Sequence, residues 1–369
     1  MKLPEEILSD IKKKARSIRR PLRFMELCGT HSQTIAQNGL KSILPENIKL
    51  VSGPGCPVCV TDQSDIDIVV GLALAGIPIA VYGDTLNVPG NLMSLEEARR
   101  NGADVSVVYD ISEAVKMKTQ KPKITFFGLG FETTTPMSAW AIKHGLIVYS
   151  AHKIFPPAMA ALLANKERRT SSGASRHLLL GKEKGIKKEN FQIDGFIDPG
   201  HVSAIIGTEI YNQFKIPQVI AGFEGIDVLL AVDILLDQII NKEIKVENEY
   251  ARVVKKEGNA KARKLIEEVF EIADAKWRGL GEIKNSGLKI RKKYKNQDAE
   301  FVYKGLIAQI KKEIKPKPNA CKCGLVLQGL IESKDCPLFA KVCTPDNPQG
   351  ACMVSVEGSC NVAYGYERE

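Results

Sequence analysis

A repeated order of an apolar strand, a polar loop and a helix is the feature that most constrains the fold of this chain. Residues 22–27 form the first apolar strand, and the polar loop after them carries Cys28 and His31. The same order returns at residues 124–129, where the following loop carries Glu132. Apolar runs that alternate with helical patterns indicate βαβ units and parallel sheets. The sequence therefore predicts the α/β fold class.

Two more pairs of segments resemble each other in the same order along the chain. Residues 50–56 match residues 196–201, and residues 76–83 match residues 215–222. Three ordered matches indicate an internal duplication. We therefore predict two similar parallel-sheet α/β domains that face a cleft. Their expected limits are 21–118 and 119–240.

Four side chains with metal-binding or acid–base chemistry follow directly after predicted strands. They are Cys28, Cys56, Glu132 and His201. Ligands of parallel sheets bind beyond the carboxyl ends of the strands. We therefore expect these four side chains to lie around the cleft between the two domains.

The last third of the chain has a different pattern. Residues 241–311 are helical and charged in character, with a clear amphipathic stretch at 263–272. A cysteine-rich segment follows. We predict that residues 241–369 form a helical and cysteine-rich domain, joined by an N-terminal amphipathic helix within residues 1–20.

The formal net charge of +9 raises the question of nucleic-acid binding. The excess lies in the N-terminal helix and in a diffuse population of lysines among glutamates, which is typical of solvated helix faces. Aromatic residues that could stack on bases are sparse in these regions. We therefore predict no nucleic-acid partner.

Neither an export signal nor a membrane span is predicted. The first residues lead into a charged helix rather than into the apolar segment of a signal peptide. The longest apolar stretch, residues 68–82, contains Pro78 and is shorter than the roughly 18 residues that span a bilayer. We predict a cytoplasmic protein without a membrane partner, in which this stretch forms a helix end and a buried strand.

The nine cysteines fall into two groups. Cys28, Cys56 and Cys59 lie near the N-terminus, and the other six lie between Cys321 and Cys360. A reducing cytoplasm disfavours structural disulfides, so metal or redox chemistry is the better explanation for these thiols. The distribution predicts two separate sites.

Cys56 and Cys59 have the C-x-x-C spacing, which lets two thiols bind one metal or form a redox disulfide. The glycines and prolines within residues 53–57 predict an irregular loop, unlike the helix start of a thioredoxin site. We favour metal handling, with Cys28 as the third thiolate. A purely redox pair and inert buried cysteines are the alternatives.

Cys28 is predicted to lie where a strand gives way to a helix. The positive end of that helix should lower the pKa of the thiol and favour the thiolate. His31 is a candidate to orient or hydrogen-bond this thiolate, although its position equally fits a satisfied loop histidine. Glu132 and His201 occupy the corresponding places in the second repeat, with the same two interpretations.

The C-terminal cysteines favour an iron–sulfur cluster over a zinc site. Four cysteines suffice for a [4Fe–4S] cluster, and Cys336 is followed by proline, a common context for cluster ligands. A structural zinc site normally has two tight cysteine pairs, whereas only Cys321 and Cys323 are close in sequence here.

Six thiols allow several selections of four cluster ligands. If the backbone at residues 321–323 is extended, the side chains of Cys321 and Cys323 point to opposite faces, so that one binds the cluster and the other forms a disulfide beside it. The predicted [4Fe–4S] ligands are Cys321, Cys336, Cys343 and Cys360. The predicted redox pair is Cys323 and Cys352.

Five motifs of the chain resemble the signatures of the HypD family of [NiFe]-hydrogenase formation proteins. They are FMELCGTH at 24–31, GPGCPVC at 53–59, GFETT at 130–134, PGHVS at 199–203 and CMVSVEG at 352–358. The resemblance spans nearly the whole chain from residue 23, and no motif position departs from the family pattern.

The resemblance implies a scaffold on which the Fe(CN)₂CO unit of the hydrogenase is built, with no turnover substrate. It implies a HypC-like small chaperone and a HypE-like cyanide donor as partners, and one [4Fe–4S] cluster in the C-terminal domain. Cys28, Cys56 and Cys59 match the iron-handling cysteines of the family. The other candidate catalytic residues within the motifs are His31, Glu132, His201 and Glu357.

The same residues also permit a second class of function. In a thiol–disulfide oxidoreductase, the cluster would pass electrons to Cys323 and Cys352 and then to Cys56 and Cys59. Iron bound in excess of the cluster would favour the scaffold, whereas catalytic reduction of a protein disulfide would favour the oxidoreductase.

Overall fold

The computed structural model of the chain describes residues 3–170, 192–316 and 318–367. The predicted N-terminal helix and the predicted second and third domains each include residues outside these ranges: 1–2, 171–191, 317 and 368–369. The strands are β1 Leu22–Glu26, β2 Ile48–Ser52, β3 Ile79–Tyr82, β4 Val105–Val108, β5 Thr125–Gly128, β6 Ile147–Ser150, β7 Gly195–Pro199, β8 Gln218–Ala221, β9 Val246–Asn248, β10 Phe270–Trp277 and β11 Gly281–Ile290.

Helices cover both parallel sheets and make up part of the C-terminal segment. They are α1 Pro4–Arg16, α2 Gly29–Gln37, α3 Leu40–Ile43, α4 Pro57–Val60, α5 Gln63–Leu74, α6 Leu95–Arg100, α7 Ile111–Met117, α8 Thr135–Lys143, α9 Pro156–Thr170, α10 Gly200–Ile206, α11 Gly225–Ile240, α12 Ala260–Val269, α13 Ala299–Val302, α14 Lys304–Glu313, α15 Cys323–Val326 and α16 Ser359–Tyr366. Short 3-10 turns lie at Gly83–Thr85, Glu209–Gln213, Lys292–Gln297, Ser333–Asp335 and Ala351–Met353.

Two parallel sheets form the α/β part of the molecule. One has five strands in the order β2-β1-β7-β8-β9, and the other has four strands in the order β4-β3-β5-β6. Every pair of neighbouring strands in both sheets is parallel. The predicted α/β class with parallel sheets is therefore confirmed.

The strands are not divided between the sheets as two contiguous repeats would divide them. β1 and β2 share their sheet with β7, β8 and β9, whereas the four-stranded sheet is built from residues 79–150. Residue 118, the predicted domain limit, lies between two strands of one sheet. The sequence predicts strands but not their neighbours, because parallel strands pair across long crossovers and tertiary packing selects the partner.

Helix α1 covers one face of the five-stranded sheet. Its buried residues Ile7, Ile11 and Ala15 recur at helical spacing and join a core cluster with residues of β1, β7 and α11. Lys14 forms an ion pair with Asp233 of α11 at 2.6 Å. The helix therefore packs on this sheet, whereas the sequence analysis predicted that it joins the C-terminal domain.

The antiparallel hairpin of β10 and β11 interrupts the segment that the sequence predicted to be helical. Helix α12 accounts for the amphipathic stretch but ends at Val269, directly before β10. Gly279 and Gly281 in the turn both have positive φ, a conformation that favours glycine. The prediction of a continuous helical segment was wrong because a mostly exposed strand follows α12 directly, with no turn residue between the helix and the strand.

The apolar stretch at 68–82 forms the end of α5 and the buried strand β3, as predicted. Within the described part of the chain, no helix combines the length and the apolar character that crossing a membrane requires.

One buried cluster connects all parts of the fold. It contains Phe196 of the five-stranded sheet, Phe127 of the four-stranded sheet, Trp277 of the hairpin and Cys352 of the C-terminal segment. The cysteines of both groups therefore approach each other through a shared core.

Candidate metal site and cysteine module

Cys28 lies directly after β1 and is the N-cap residue of α2. Its backbone N–H donates a hydrogen bond to Glu26 Oε2 at 3.0 Å, and the Gly29 N–H donates to the Gly55 carbonyl at 3.3 Å. A Cβ on Gly55 would overlap the backbone of Cys28. The lack of a side chain at Gly55 therefore lets the loop after β2 bring the C-x-x-C motif to Cys28.

Cys56 and Cys59 form a disulfide, whereas Cys28 is a free thiol. Cys56 is the N-cap of the short helix α4, and its Sγ accepts the Cys59 N–H at 3.2 Å. The predicted irregular loop is observed at residues 53–56, but it ends at Pro57, where α4 begins. Pro57 occupies the first helical position, where its fixed φ fits a helix start and its missing N–H is not needed.

The pKa of the Cys28 thiol is raised to about 12, and not lowered as predicted. Burial is the largest cause and the charge of Glu357 is the second, while hydrogen bonds with Thr30 act in the opposite direction. The helix N-terminus does not compensate for the loss of solvation. The thiol is therefore protonated at neutral pH, and a metal ion that binds it must displace the proton.

Glu357 reaches the Cys28 turn from the C-terminal segment. Its Oε1 accepts a hydrogen bond from the Thr30 hydroxyl at 2.7 Å. A Cβ on Gly29 would lie 2.6 Å from the Glu357 Cβ, so the two segments are in close contact. The structure thus places this sequence-predicted carboxylate beside Cys28.

His31 and His201 both stack on Phe223, with ring centroids 5.0 Å and 3.8 Å away. His31 Nε2 lies 2.8 Å from the Gly222 carbonyl oxygen, which assigns the ring proton to Nε2. Burial lowers the pKa of His31 to about 4, so the ring is neutral. His31 therefore hydrogen-bonds a carbonyl, and among the described residues its Nδ1 has no hydrogen-bond partner.

Glu132 is buried at the end of the four-stranded sheet. Its Oε1 accepts the Phe155 N–H at 3.0 Å, and its Oε2 has no hydrogen-bond partner in the described chain. Burial raises the pKa of Glu132 to about 7. Glu132 and Cys28 both lie within electrostatic range of the Tyr211 hydroxyl, so side chains from the two sheets converge here.

Two polar residues of this region were missed by the sequence analysis. Asp198 lies in β7, is fully buried, and has no hydrogen-bond partner for either carboxylate oxygen within the described ranges. The Tyr211 hydroxyl lies 2.8 Å from Ser203 Oγ and within electrostatic range of Asp198. The available signal was an aspartate inside an otherwise apolar strand.

The C-terminal cysteines form a chain of thiol contacts. The Cys323 thiol interacts electrostatically with the thiols of Cys321 and Cys352, and the Cys352 thiol interacts in the same way with that of Cys360. All six are buried except Cys321, which is partly exposed. The thiols of Cys336 and Cys343 lie within electrostatic range of these four cysteines.

Cys321 and Cys323 do not point to opposite faces. Their thiols contact each other, and both lie next to Gly350, where a Cβ would overlap Cys321 Sγ. The backbone of Lys322 has φ −103° and ψ 17°, which is not extended. The predicted alternation required an extended backbone, and this condition is not met, because Lys322 is the N-cap of helix α15 and the chain turns there.

The donor set of this module fits an iron–sulfur cluster in its chemistry, since cysteine thiolates are the usual ligands and six cysteines lie within residues 321–360. In the described residues, no group of three or more His, Cys, Asp or Glu side chains is arranged to hold a metal ion. The choice of four ligands therefore stays a prediction.

The tip of the β10–β11 hairpin connects the two groups of cysteines. The Arg278 N–H donates to the Val60 carbonyl at 2.8 Å, and Arg278 Nε donates to the Thr61 carbonyl at 3.0 Å. Toward the C-terminal module, Gln328 Nε2 donates to the Gly279 carbonyl at 2.6 Å. The hairpin tip therefore contacts both the C-x-x-C turn and the helix that begins at Cys323.

Comparison with known proteins agrees with the motifs. The model of the HypD family, described as the hydrogenase formation hypA family, matches residues 2–367. The chain belongs to the HypD family.

Relatives in the HypD family are similar to this chain along nearly its full length. A hydrogenase expression/formation protein of Methanocaldococcus jannaschii is 43% identical over 361 residues, which cover 94% of this chain and 92% of that protein. The hydrogenase maturation factor HypD of Escherichia coli is 38% identical over 365 residues, which cover 95% of this chain and 90% of that protein. The hydrogenase maturation factor HypD of Cupriavidus necator is 38% identical over 382 residues, which cover 99% of this chain and 95% of that protein.

Proposed function

We propose that this chain acts in hydrogenase maturation, as the scaffold on which the Fe(CN)₂CO unit of [NiFe] hydrogenase is assembled. Membership of the HypD family supports the role in maturation. The observation that carries the site is the contact between the Cys28 turn and the loop that leads to Cys56 and Cys59, because it brings the backbone of Cys28 against Gly55. No turnover substrate is needed for this role.

In this proposal, iron is the cargo and Cys28 is its permanent protein ligand. A low-spin ferrous ion with cyanide and carbon monoxide ligands suits soft thiolate partners. Cys56 and Cys59 alternate between ligands and a disulfide. Reduction of the disulfide takes two electrons and two protons and makes two thiols available, whereas oxidation withdraws both from the iron and favours its release.

The proposed resident cofactor is a [4Fe–4S] cluster in the C-terminal module. Its proposed ligands are Cys321, Cys336, Cys343 and Cys360. The cluster would supply electrons one at a time to nearby thiols. Cys323 and Cys352 are the proposed redox pair beside it, and the electrostatic interaction between their thiols supports this choice.

We propose that a HypC-like small chaperone and a HypE-like cyanide donor dock in the cytoplasm at the surface around Cys28. Exposed groups lie beside the site, including His201 and Val356, the latter 62% exposed next to Glu357. Cross-links to either partner should map to these residues. Cross-links confined to residues 241–311 would contradict this docking geometry.

The decisive test is anaerobic iron quantification combined with infrared spectroscopy of the purified protein. Iron in excess of the four atoms of one cluster, together with bands of metal-bound cyanide and carbon monoxide, is the expected result. The variant Cys28→Ala should keep the cluster iron and lose both the excess iron and the bands. Excess iron that survives this substitution would place the assembly site elsewhere.

A thiol–disulfide oxidoreductase is the second candidate, and the disulfide of Cys56 and Cys59 is the observation that favours it. An oxidoreductase would reduce a protein disulfide catalytically when supplied with dithionite, and the variant Cys59→Ser would lose that activity. A scaffold would reduce at most its own disulfides, in a stoichiometric amount.

A further inference from the structure

Asp198 is a buried acid without a hydrogen-bond partner in the part of the chain that the structure describes. It is fully buried in β7, and neither carboxylate oxygen has a hydrogen-bond partner among the described residues. Burial raises the pKa of this carboxyl well above its ordinary value, and no hydrogen bond or opposite charge within the described chain counteracts the loss of solvation. Burial therefore favours the protonated carboxyl, which can donate a hydrogen bond.

A comparably buried acid elsewhere in the chain shows what a structural role looks like. Asp67 is also fully buried, but its two oxygens accept the backbone N–H of Asn91 at 2.6 Å and Asn91 Nδ2 at 2.7 Å. A buried polar group without such partners destabilises the fold. A ligand that hydrogen-bonds Asp198 would therefore remove this destabilisation.

The strand register places Asp198 next to the Cys28 turn. Glu26 of β1 pairs with Ile197 of β7, and the Leu27 N–H donates to the Ile197 carbonyl at 3.0 Å. Leu27, the residue before Cys28, therefore lies alongside Asp198, at the spacing of roughly 4.8 Å between neighbouring strands. Because side chains alternate along a strand, Asp198 shares the face of Phe196, which belongs to the core between the two sheets.

Glu132 approaches the same region from the other sheet. Its Oε2 also lacks a hydrogen-bond partner in the described chain. The hydroxyl of Tyr211 lies within electrostatic range of Asp198, Glu132 and Cys28, so polar groups from both sheets lie in the neighbourhood of this hydroxyl.

We propose that Asp198 and the Oε2 side of Glu132 form a hydrogen-bonding wall for a small anionic ligand of the iron held at Cys28, with cyanide as the ligand class. This proposal rests on the proposed function. A neutral carboxylic acid donates a hydrogen bond to the nitrogen of metal-bound cyanide, and such a bond to a charged acceptor is strong in a buried site. A second metal ion is the less suitable occupant, because burial disfavours the charged carboxylate that would attract a cation.

The test compares three variants of the full-length protein. Asp198→Val removes the donor with a side chain that suits a strand, Asp198→Asn restores a donor, and Asp67→Asn is the control at a partnered acid. Thermal unfolding is measured first, without added ligand. Ferrous iron and then cyanide are added anaerobically, and iron binding, cyanide affinity and the infrared cyanide band are recorded, with Cys28→Ala as the baseline.

We expect Asp198→Val to unfold at or above the wild-type temperature and Asp67→Asn to unfold below it. Asp198→Val should bind iron as the wild type does, bind cyanide about tenfold more weakly, and shift the cyanide band. Asp198→Asn should restore most of the affinity.

A loss of thermal stability in Asp198→Val as large as in Asp67→Asn would overturn the proposal, because it would reveal a structural role. Wild-type cyanide affinity together with an unshifted band in Asp198→Val would overturn it equally. Failure of the wild type to bind iron at Cys28 would instead refute the proposed function, and the two failures are thus distinguishable.

Discussion

The Thr30 hydroxyl donates a hydrogen bond to Glu357 Oε1 at 2.7 Å, across 327 positions of the chain. Thr30 lies two residues after Cys28, and Glu357 belongs to the segment that carries the C-terminal cysteines. The pKa of the Cys28 thiol therefore depends on the C-terminal module. Burial is the largest cause of the raised pKa, and the charge of Glu357 is the second.

Replacing Glu357 should therefore make Cys28 more reactive. In Glu357→Gln the negative charge is lost, the pKa of the Cys28 thiol falls, and the thiolate fraction at a given pH rises. We expect roughly two- to tenfold faster alkylation of Cys28 by iodoacetamide at pH 8. Mass spectrometry of the peptide that contains Cys28 measures the rate without interference from the other thiols.

The matched variant for this measurement is Thr30→Val. Hydrogen bonds with Thr30 lower the pKa of the Cys28 thiol, so their partial loss should slow alkylation. Equal rates in Glu357→Gln, Thr30→Val and the wild type would mean that the Thr30–Glu357 contact does not control the thiol.

The strand-end positions of the site could be predicted from the sequence because they depend on local patterns. The apolar runs before Cys28 and Cys56 predict strands, and β1 and β2 end just before these residues. Parallel strands also explain why the two loops meet. The burial of Cys28 could not be predicted, because it comes from Glu357 and other residues that are distant in sequence, and burial reversed the expected direction of the thiol pKa.

Three further features of the fold could not be predicted for the same physical reason. Strands β7, β8 and β9 join β1 although they follow it by more than 160 residues, and no local pattern encodes that pairing. The β10–β11 hairpin follows α12 without a break, so a continuous helical reading was wrong. Cys321 and Cys323 share a side because the chain turns at Lys322, and alternation holds only for an extended backbone.

The variant Glu132→Gln should change the pH dependence of stability. Burial raises the pKa of Glu132 from an ordinary value of 4.5 to about 7. The folded state therefore holds the proton more tightly, so the stabilisation from Glu132 is full below pH 4.5 and is lost as the pH rises through 7. Relative to the wild type, Glu132→Gln should gain on the order of 3 kcal/mol in free energy of unfolding between pH 4 and pH 8.

Urea unfolding at several pH values measures this difference. Buried His152, whose pKa is lowered to about 3, has the opposite pH dependence, but its contribution cancels when wild type and variant are subtracted. The exposed Glu267 provides the control variant Glu267→Gln, measured at the same pH values. A difference for Glu132→Gln that does not change with pH would contradict the prediction.

The two groups of cysteines should be separable by spectroscopy. Cys336→Ala should abolish the broad visible absorbance of an iron–sulfur cluster, because a proposed ligand is lost. Cys28→Ala should leave that absorbance unchanged. Absorbance spectra of the anaerobically purified variants decide the matter, and equal bleaching in both would refute the division into two sites.

Arg278 should control how easily the disulfide of Cys56 and Cys59 is reduced. Its Nε donates to the Thr61 carbonyl at 3.0 Å and its Nη1 donates to Gln63 Oε1 at 2.9 Å, so the side chain fixes the turn that follows Cys59. Arg278→Leu removes both hydrogen bonds. We expect a loss of about 1–3 kcal/mol in free energy of unfolding and a disulfide that dithiothreitol reduces at a lower concentration, because a looser turn holds the two thiols together less firmly.

Equilibration with dithiothreitol, followed by alkylation and mass spectrometry, measures the reduced fraction of the pair. Arg278→Lys is the matched control, because it keeps the positive charge and loses the two-armed hydrogen bonding. If the hydrogen bonds fix the turn, Arg278→Lys should resemble Arg278→Leu. If Arg278→Lys resembles the wild type while Arg278→Leu is easily reduced, the charge of the side chain is the controlling property and the argument from turn geometry is wrong.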